Sequence, residues 1–215
     1  MIAPVDVKNY NTLLFDCDGV LLNSNKVKTE AFFEVAKKYG VDFAEELVFF
    51  HLNNGGISRY RKFEHFKNII LPENNNVVVE TLIEEYAKRV ADGLMACGIA
   101  EGLFDLRKHA RNANWLVVSG GDQAEIRRIF EARGISKLFD GGIFGSPDDK
   151  ETIVERELRS GVIKEDSLFI GDSKYDRIVA QKFRFDFLFV SEWSECKKED
   201  FSDSPSVAKI SDLLR

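Results

Sequence analysis

The chain has 215 residues and a formal net charge of −6, with 44% of its residues hydrophobic and 31% charged. That length supports one core, or one core with a smaller inserted domain, and the apolar content is too high for a disordered chain. The negative balance gives no general attraction to nucleic acid or to an anionic membrane, so an anionic ligand has to be recognised locally. No run approaches the roughly 18 apolar residues of a membrane span, and the opening MIAPVDVKNYN lacks the basic start and apolar stretch of a signal peptide. The expectation is a cytoplasmic monomer or weak dimer without nucleic-acid or membrane partners. Cys17, Cys97 and Cys196 are odd in number and far apart, which suggests neither a disulfide framework nor a CxxC metal site. His51, His65 and His109 have no metal-ligand spacing and read as scattered surface or core histidines.

In chain order, the first element is Thr12-Leu-Leu-Phe15, a short apolar run that reads as a buried strand. It runs into Asp16-Cys-Asp-Gly-Val20, which places two carboxylates where a strand ends; a polar turn that uses Gly19 for backbone freedom accounts for them equally well. From about Asn23 to Ala100 the pattern changes to long helical periodicities, Val27 to Tyr39 and Val77 to Met95, broken by Asn53-Asn-Gly-Gly56 and Pro72-Glu-Asn-Asn-Asn76. This reads as a helical insertion of about four helices.

A second strand, Trp115-Leu-Val-Val118, ends in Ser119-Gly-Gly121, with a helix opening at Asp122. A hydroxyl and glycine amides at a helix N-terminus suit phosphate oxygens, although an ordinary turn capped by Ser119 or Asp122 explains them too. Lys150 ends the segment Gly145-Ser-Pro-Asp-Asp-Lys150, just before the helical pattern Glu151 to Arg159, where the helix dipole disfavours a cation. The strand Ser167-Leu-Phe-Ile170 delivers Gly171-Asp-Ser-Lys-Tyr-Asp176; with a helix from Ser173 to Phe183, Asp172 and Asp176 can face one crevice. Phe187-Leu-Phe-Val190 is the last strand of this kind. Strands alternating with helices predict a doubly wound α/β sheet whose functional groups gather at the carboxyl ends of its strands.

In this order and in these contexts, the residues resemble the four motifs of the haloacid dehalogenase superfamily, specifically its phosphoglycolate phosphatase and β-phosphoglucomutase-like branch. Asp16-x-Asp18-Gly19-Val20 matches the first motif, Ser119 the second, Lys150 the third and Gly171-Asp172-x-x-x-Asp176 the fourth. The resemblance implies a Rossmann-like α/β core over residues 1–22 and 101–215 with a helical cap over 23–100. It also implies a Mg²⁺-dependent phosphatase that works on a small phosphorylated metabolite, a sugar phosphate or a phosphoglycolate-like ester, through an aspartyl phosphate. In that scheme Asp16 is the nucleophile and Asp18 the acid and base. Asp16 and Asp172 bind the metal through carboxylates, Asp18 through its backbone carbonyl, and Asp176 directly or through water. Ser119 and the Gly120 amide hold phosphoryl oxygens, and Lys150 balances the charge of Asp16 and the phosphate.

Asp18 argues against the dehalogenases and phosphonatases of the superfamily, which lack an aspartate there. The β-phosphoglucomutase-type mutases carry a histidine where this chain has Lys28, which lowers the phosphomutase alternative. Asn23-Ser-Asn25 stands where relatives commonly have an Asp-Ser-Glu-like sequence, a departure expected to bear on cap closure or substrate contacts and not on the core chemistry. Within Gly55 to Lys62, Arg59 is the first choice for a basic contact to a second anionic group; Arg61 and Lys62 come after it as candidates, and a solvated charged helix face accounts for them better. Cys17 reads as a small buried side chain. The alternative of another class, a noncatalytic binding or regulatory module, is disfavoured because every motif residue is present.

Overall fold

The computed structural model describes residues 5–214. In chain order its main elements are β1 (Thr12–Phe15), α1 (Asn25–Ala36), α2 (Val41–Asn53), α3 (Arg59–His65), α4 (Val79–Ala96), α5 (Leu103–His109), β2 (Asn114–Asp122), α6 (Gln123–Ala132), β3 (Gly142–Ser146), α7 (Lys150–Arg159), β4 (Ser167–Gly171), α8 (Lys174–Lys182), β5 (Asp186–Val190) and β6 (Ser206–Val207). The strands form one parallel sheet in the order β3-β2-β1-β4-β5-β6. This is the Rossmann-like α/β fold that the alternation of strand and helix predicts.

Successive side chains of a strand point to opposite faces, so each central strand feeds two cores. Leu13, Phe15, Trp115, Val117, Leu168 and Ile170 pack on one face with Leu103, Leu106, Ile126 and Ile129 of α5 and α6. Leu14, Leu116, Val118 and Phe169 pack on the other with Ile153, Val154, Val179 and Ala180 of α7 and α8. Every residue of β1 and β4 is buried, which is why these strands read as unbroken apolar runs. Each such side chain contributes roughly 1.5–3 kcal/mol by leaving water.

Two strands were not expected from the sequence. β3 is Gly142-Ile-Phe-Gly-Ser146, too rich in glycine to show strand propensity, and β6 is two residues long. β2 also continues past Val118 as far as Asp122, with an irregularity in its pairing to β3 between those residues. Ser119 and Gly120 therefore sit in the distorted end of a strand, and not at the helix N-terminus, which opens at Gln123 behind the N-cap Asp122.

Between β1 and α5 the chain forms α1 to α4, with α3 running on into a wider turn over Phe66–Ile70. Aromatic packing of Phe32, Phe63 and Tyr86 ties α1, α3 and α4 together. The two connections to this helical segment run side by side: Asn23 N donates to Gly98 O and Ala100 N to Leu21 O, each at 2.9 Å. Among the described residues no helix is long and apolar enough to cross a membrane.

Candidate active site

The sheet order reverses at β1, which has β2 on one side and β4 on the other. Crevices in open α/β sheets form at such a switch point, outside the carboxyl ends of the strands. Asp16 follows β1, Ser119 lies in β2, and Asp172 follows β4, so topology gathers residues far apart in sequence. A cavity there is lined by Asp16, Asp18, Gly120 and Asp172 from below, and by Lys28, His51, Arg59 and Lys62 of the helical segment from above.

Lys150 is the first residue of α7, and its side chain is 0% exposed. Its Nζ lies 2.8 Å from Asp16 Oδ1 and 2.5 Å from Asp176 Oδ1. Burial pulls the ammonium's pKa down, but Asp16 and Asp176 more than offset this and hold it above the ordinary lysine range. Two carboxylates thus explain a cation at a helix start, where the dipole opposes it.

Asp176 Oδ2 accepts from the Asp172 and Ser173 amides and from Ser173 Oγ, forming a capping box on α8. With Lys150 on Oδ1, both of its oxygens are engaged, which fits a role in holding Lys150 and α8 in place. Asp16 differs. Its Oδ1 is within ion-pairing distance of Lys150 but has no aligned hydrogen-bond donor, leaving a buried acceptor unsatisfied.

Asp16, Asp172 and Asp176 each offer an oxygen within 4.8 Å of the others. Burial, then Asp176 and Asp18, push the Asp16 carboxyl from its ordinary 3.8 up to about 7 despite Lys150. Burial, then Asp16 and Asp176, push Asp172 well above its usual range. An oxygen-only, electrostatically crowded set in which Asp16 Oδ1 lacks a hydrogen-bond partner fits a hard divalent cation such as Mg²⁺. Gly19 supports the cluster through its positive φ of 77°, and a Cβ there would overlap the Asp172 carboxylate.

These shifts predict a pH dependence. An acid whose folded pKa is raised stabilises the fold at low pH and loses that contribution as pH rises through the folded value. In EDTA the melting temperature is therefore expected to rise on acidification from about pH 7.5 to about pH 5, across the window between 3.8 and about 7 set by Asp16. Added Mg²⁺ should flatten the dependence by holding the carboxylates ionised. A melting temperature that falls with acid in EDTA and ignores Mg²⁺ would sink this account.

Asp18 is held differently. Ser24 Oγ donates to its Oδ1 at 2.6 Å, and Lys28 Nζ lies 2.5 Å from its Oδ2. Burial raises the pKa of Asp18, but Lys28 and Ser24 together bring it below the ordinary carboxylate range. Ser24 stands at the N-cap of α1 yet makes no capping bond, its hydroxyl being used on Asp18. Asn25 Nδ2 donates to Asp172 Oδ2 at 2.8 Å. The Asn23-Ser-Asn25 departure thus touches the core carboxylates themselves, contrary to the expectation that it bears only on the cap. The signal was available: Asn25, Lys28, Thr29 and Phe32 follow helical spacing and form one face of α1 directed at the site.

The start of α3 is bound to the sheet side of the crevice. Arg59 pairs with Glu125 of α6, and its guanidinium lies over the Tyr86 ring. Tyr60 Oη donates to Asp122 Oδ2 at 2.8 Å, and Arg61 reaches Asp149 Oδ2 at 3.0 Å. Arg59 lines the cavity but is already matched by a carboxylate. Lys62 is not part of a solvated face; its residue is 3% exposed and it lines the cavity, because the next turn of α3 points inward. His51, which the sequence reads as a scattered surface or core histidine, lines it too. Gly120 and Gly121 line the cavity, whereas Ser119 is fully buried behind them, its Oγ accepting from Gly121 N; a Cβ on Gly120 would overlap the Gly56 carbonyl, so only glycine permits this close approach.

The comparisons agree with this geometry. The sequence profile of the haloacid dehalogenase-like hydrolases matches residues 13–190. No curated protein is matched by sequence. In structure the chain is similar to a predicted phosphatase from Clostridium acetobutylicum (23% identity, covering 95% of this chain and 96% of that one, TM-score 0.73). It is also similar to a predicted phosphoglycolate phosphatase from Haemophilus somnus (16% identity, 96% and 97%, TM-score 0.71) and to β-phosphoglucomutase from Clostridium difficile (17% identity, 95% and 93%, TM-score 0.70). With the profile spanning β1 through β5 and the motif residues converging on one crevice, this chain belongs to the haloacid dehalogenase-like hydrolase family.

Proposed function

We propose that this chain is a Mg²⁺-dependent phosphatase of small phosphomonoesters, with Asp16 as nucleophile, residues 1–22 and 101–215 as its core and 23–100 as its cap. The observation that carries the reading is Asp16 itself: a buried carboxylate with an unsatisfied oxygen, beside Lys150 and among carboxylates suited to a cation. Asp16 and Asp172 would hold Mg²⁺ through carboxylates and Asp18 through its backbone carbonyl, with Asp176 contributing through water because its own oxygens are engaged. When bound, the ion supplies charge neutralisation for the phosphoryl group and for the crowded carboxylates.

Phosphoryl transfer asks the protein mainly for positioning and for charge compensation. Asp16 attacks phosphorus and forms an aspartyl phosphate, while Lys150 favours its ionised form and aligns it. Ser119 Oγ and the Gly120 amide hold phosphoryl oxygens. Asp18 gives a proton to the departing oxygen and recovers one from the hydrolytic water. Lys28 and Ser24 keep Asp18 ionised in the resting site, and an approaching phosphoryl dianion raises its pKa by like-charge repulsion, so that it takes up the proton it must deliver. The side chains from the helical segment enclose a small crevice, which supports a compact metabolite over a macromolecular substrate.

The test is steady-state phosphate release from a panel of small phosphomonoesters, p-nitrophenyl phosphate included, in Mg²⁺ and in EDTA. Metal-dependent turnover is expected, with loss of at least about a hundredfold on chelation. Failure of every ester to release phosphate would count against hydrolysis, and transfer between hydroxyls of a sugar phosphate would then indicate a mutase.

A further inference from the structure

Resting on the phosphatase reading, we infer that Lys62, oriented by His51, is the receptor for a carboxylate on the leaving group, so that the preferred substrates are phosphorylated hydroxy acids or sugar acids. The inference starts from how the cations of the crevice are matched. Lys28 pairs with Asp18, Arg59 with Glu125, and Lys150 with Asp16 and Asp176. Lys62 forms no ion pair among the described residues, although it is buried and faces the same cavity.

Among the described residues its side chain has one hydrogen-bond partner, His51, whose Nδ1 lies 2.5 Å from Nζ, with the Phe32 ring 5.4 Å away. An ammonium has donors only, so with Lys62 protonated Nδ1 accepts and the ring proton sits on Nε2. That nitrogen is 2.9 Å from Thr29 Oγ1, which donates in turn to Glu195 Oε1 at 2.8 Å. The direction of the whole chain is thereby set, and the remaining two N–H groups of Lys62 have no acceptor among the described residues. Glu195 makes no contact with Lys62 itself: it is linked to it through Thr29 and His51, with its Oε2 3.9 Å from His51 Nε2, and like Asp18 it acts on Lys62 as a nearby charge.

Burial, followed by the nearby Lys28, lowers the Lys62 pKa to about 7, as befits an ammonium short of counter-charge. A carboxylate placed against it supplies one negative charge and acceptors for the free donors. A second phosphate suits the place less well. It would bring two charges to one unmatched ammonium, in a space that Asp18 and Glu195 also line.

The experiment compares matched esters that differ in the carboxylate: 2-phosphoglycolate with ethyl phosphate, 3-phosphoglycerate with glycerol 3-phosphate, and 6-phosphogluconate with glucitol 6-phosphate. Fructose 1,6-bisphosphate is the second-phosphate arm. Wild type should prefer an acid over its alcohol by roughly tenfold to a hundredfold in kcat/KM, and Lys62→Met should erase that ratio. A ratio measured on one preparation is independent of the folded fraction, and Lys62→Gln serves where the methionine variant does not fold. His51→Phe should shrink the same ratio in part. A best substrate without a carboxylate, a best substrate with a second phosphate, or a ratio unchanged in the Lys62 variants overturns the inference. Release of phosphate by wild type from none of these esters, p-nitrophenyl phosphate included, is the separate result that overturns the phosphatase reading.

Discussion

Asp16→Asn is expected to lower phosphate release by at least about a thousandfold while leaving the protein folded, with a melting temperature in EDTA equal to or above that of wild type. The first effect follows from chemistry: an amide oxygen neither attacks phosphorus usefully nor leaves as a carboxylate in the second half-reaction. The second follows from electrostatics. Asp16 is buried and its pKa is pushed up to about 7 by burial and by the carboxylates around it. Replacing it with a neutral isostere relieves that repulsion, and Lys150 retains Asp176 as counter-ion at 2.5 Å. Function and stability therefore oppose each other at this position, as is common where an active site concentrates like charges. The check is kcat for p-nitrophenyl phosphate beside thermal unfolding of both proteins in EDTA. Turnover retained within about tenfold would remove Asp16 as the nucleophile.

Lys150→Met is expected to do the reverse to stability and the same to activity. Lys150 is fully buried between Asp16 and Asp176, and the substitution leaves those carboxylates and Asp172 without the buried cation they share. Removing one partner from a buried ion pair costs about 3–5 kcal/mol, which for a chain of this size lowers the melting temperature by on the order of 10 °C. Mg²⁺ should restore part of the loss by substituting one cation for another, so the destabilisation should be larger in EDTA. Turnover should drop by about a hundredfold to a thousandfold, because the charge that aligns Asp16 and offsets the phosphoryl group is gone. A melting temperature in EDTA within about two degrees of wild type would show that the carboxylates do not depend on Lys150.

The contrast between Lys150 and Lys62 shows what can be read before folding. Lys150 stood out in the sequence because a cation at a helix start opposes the dipole, and the structure resolves that conflict with two carboxylates. Lys62 looked like one charge among several in Arg59-Tyr-Arg-Lys62, yet two of its neighbours bind Glu125 and Asp149 while it turns into the cavity. Nothing in the local pattern distinguishes an inward from an outward lysine on so short a helix. Arg59 raises the same difficulty: its placement beside the crevice was legible, but its pairing with Glu125, 66 residues away, was not.

By itself the sequence determined the alternating α/β architecture, because buried parallel strands must be continuous apolar runs and their carboxyl ends must carry the polar motifs. It also determined which residues stand at or just beyond the carboxyl ends of those strands, Asp16, Asp18, Ser119, Asp172 and Asp176, since that is a matter of order along the chain. Only the tertiary structure decided which charges match and which are left over. Asp18 with Lys28, Asp172 with Asn25, Arg59 with Glu125 and the unmatched Lys62 all depend on how the helical segment lies over the sheet. Coulomb energy falls with distance in space and takes no account of separation along the chain, so these pairings come into being only when the fold closes.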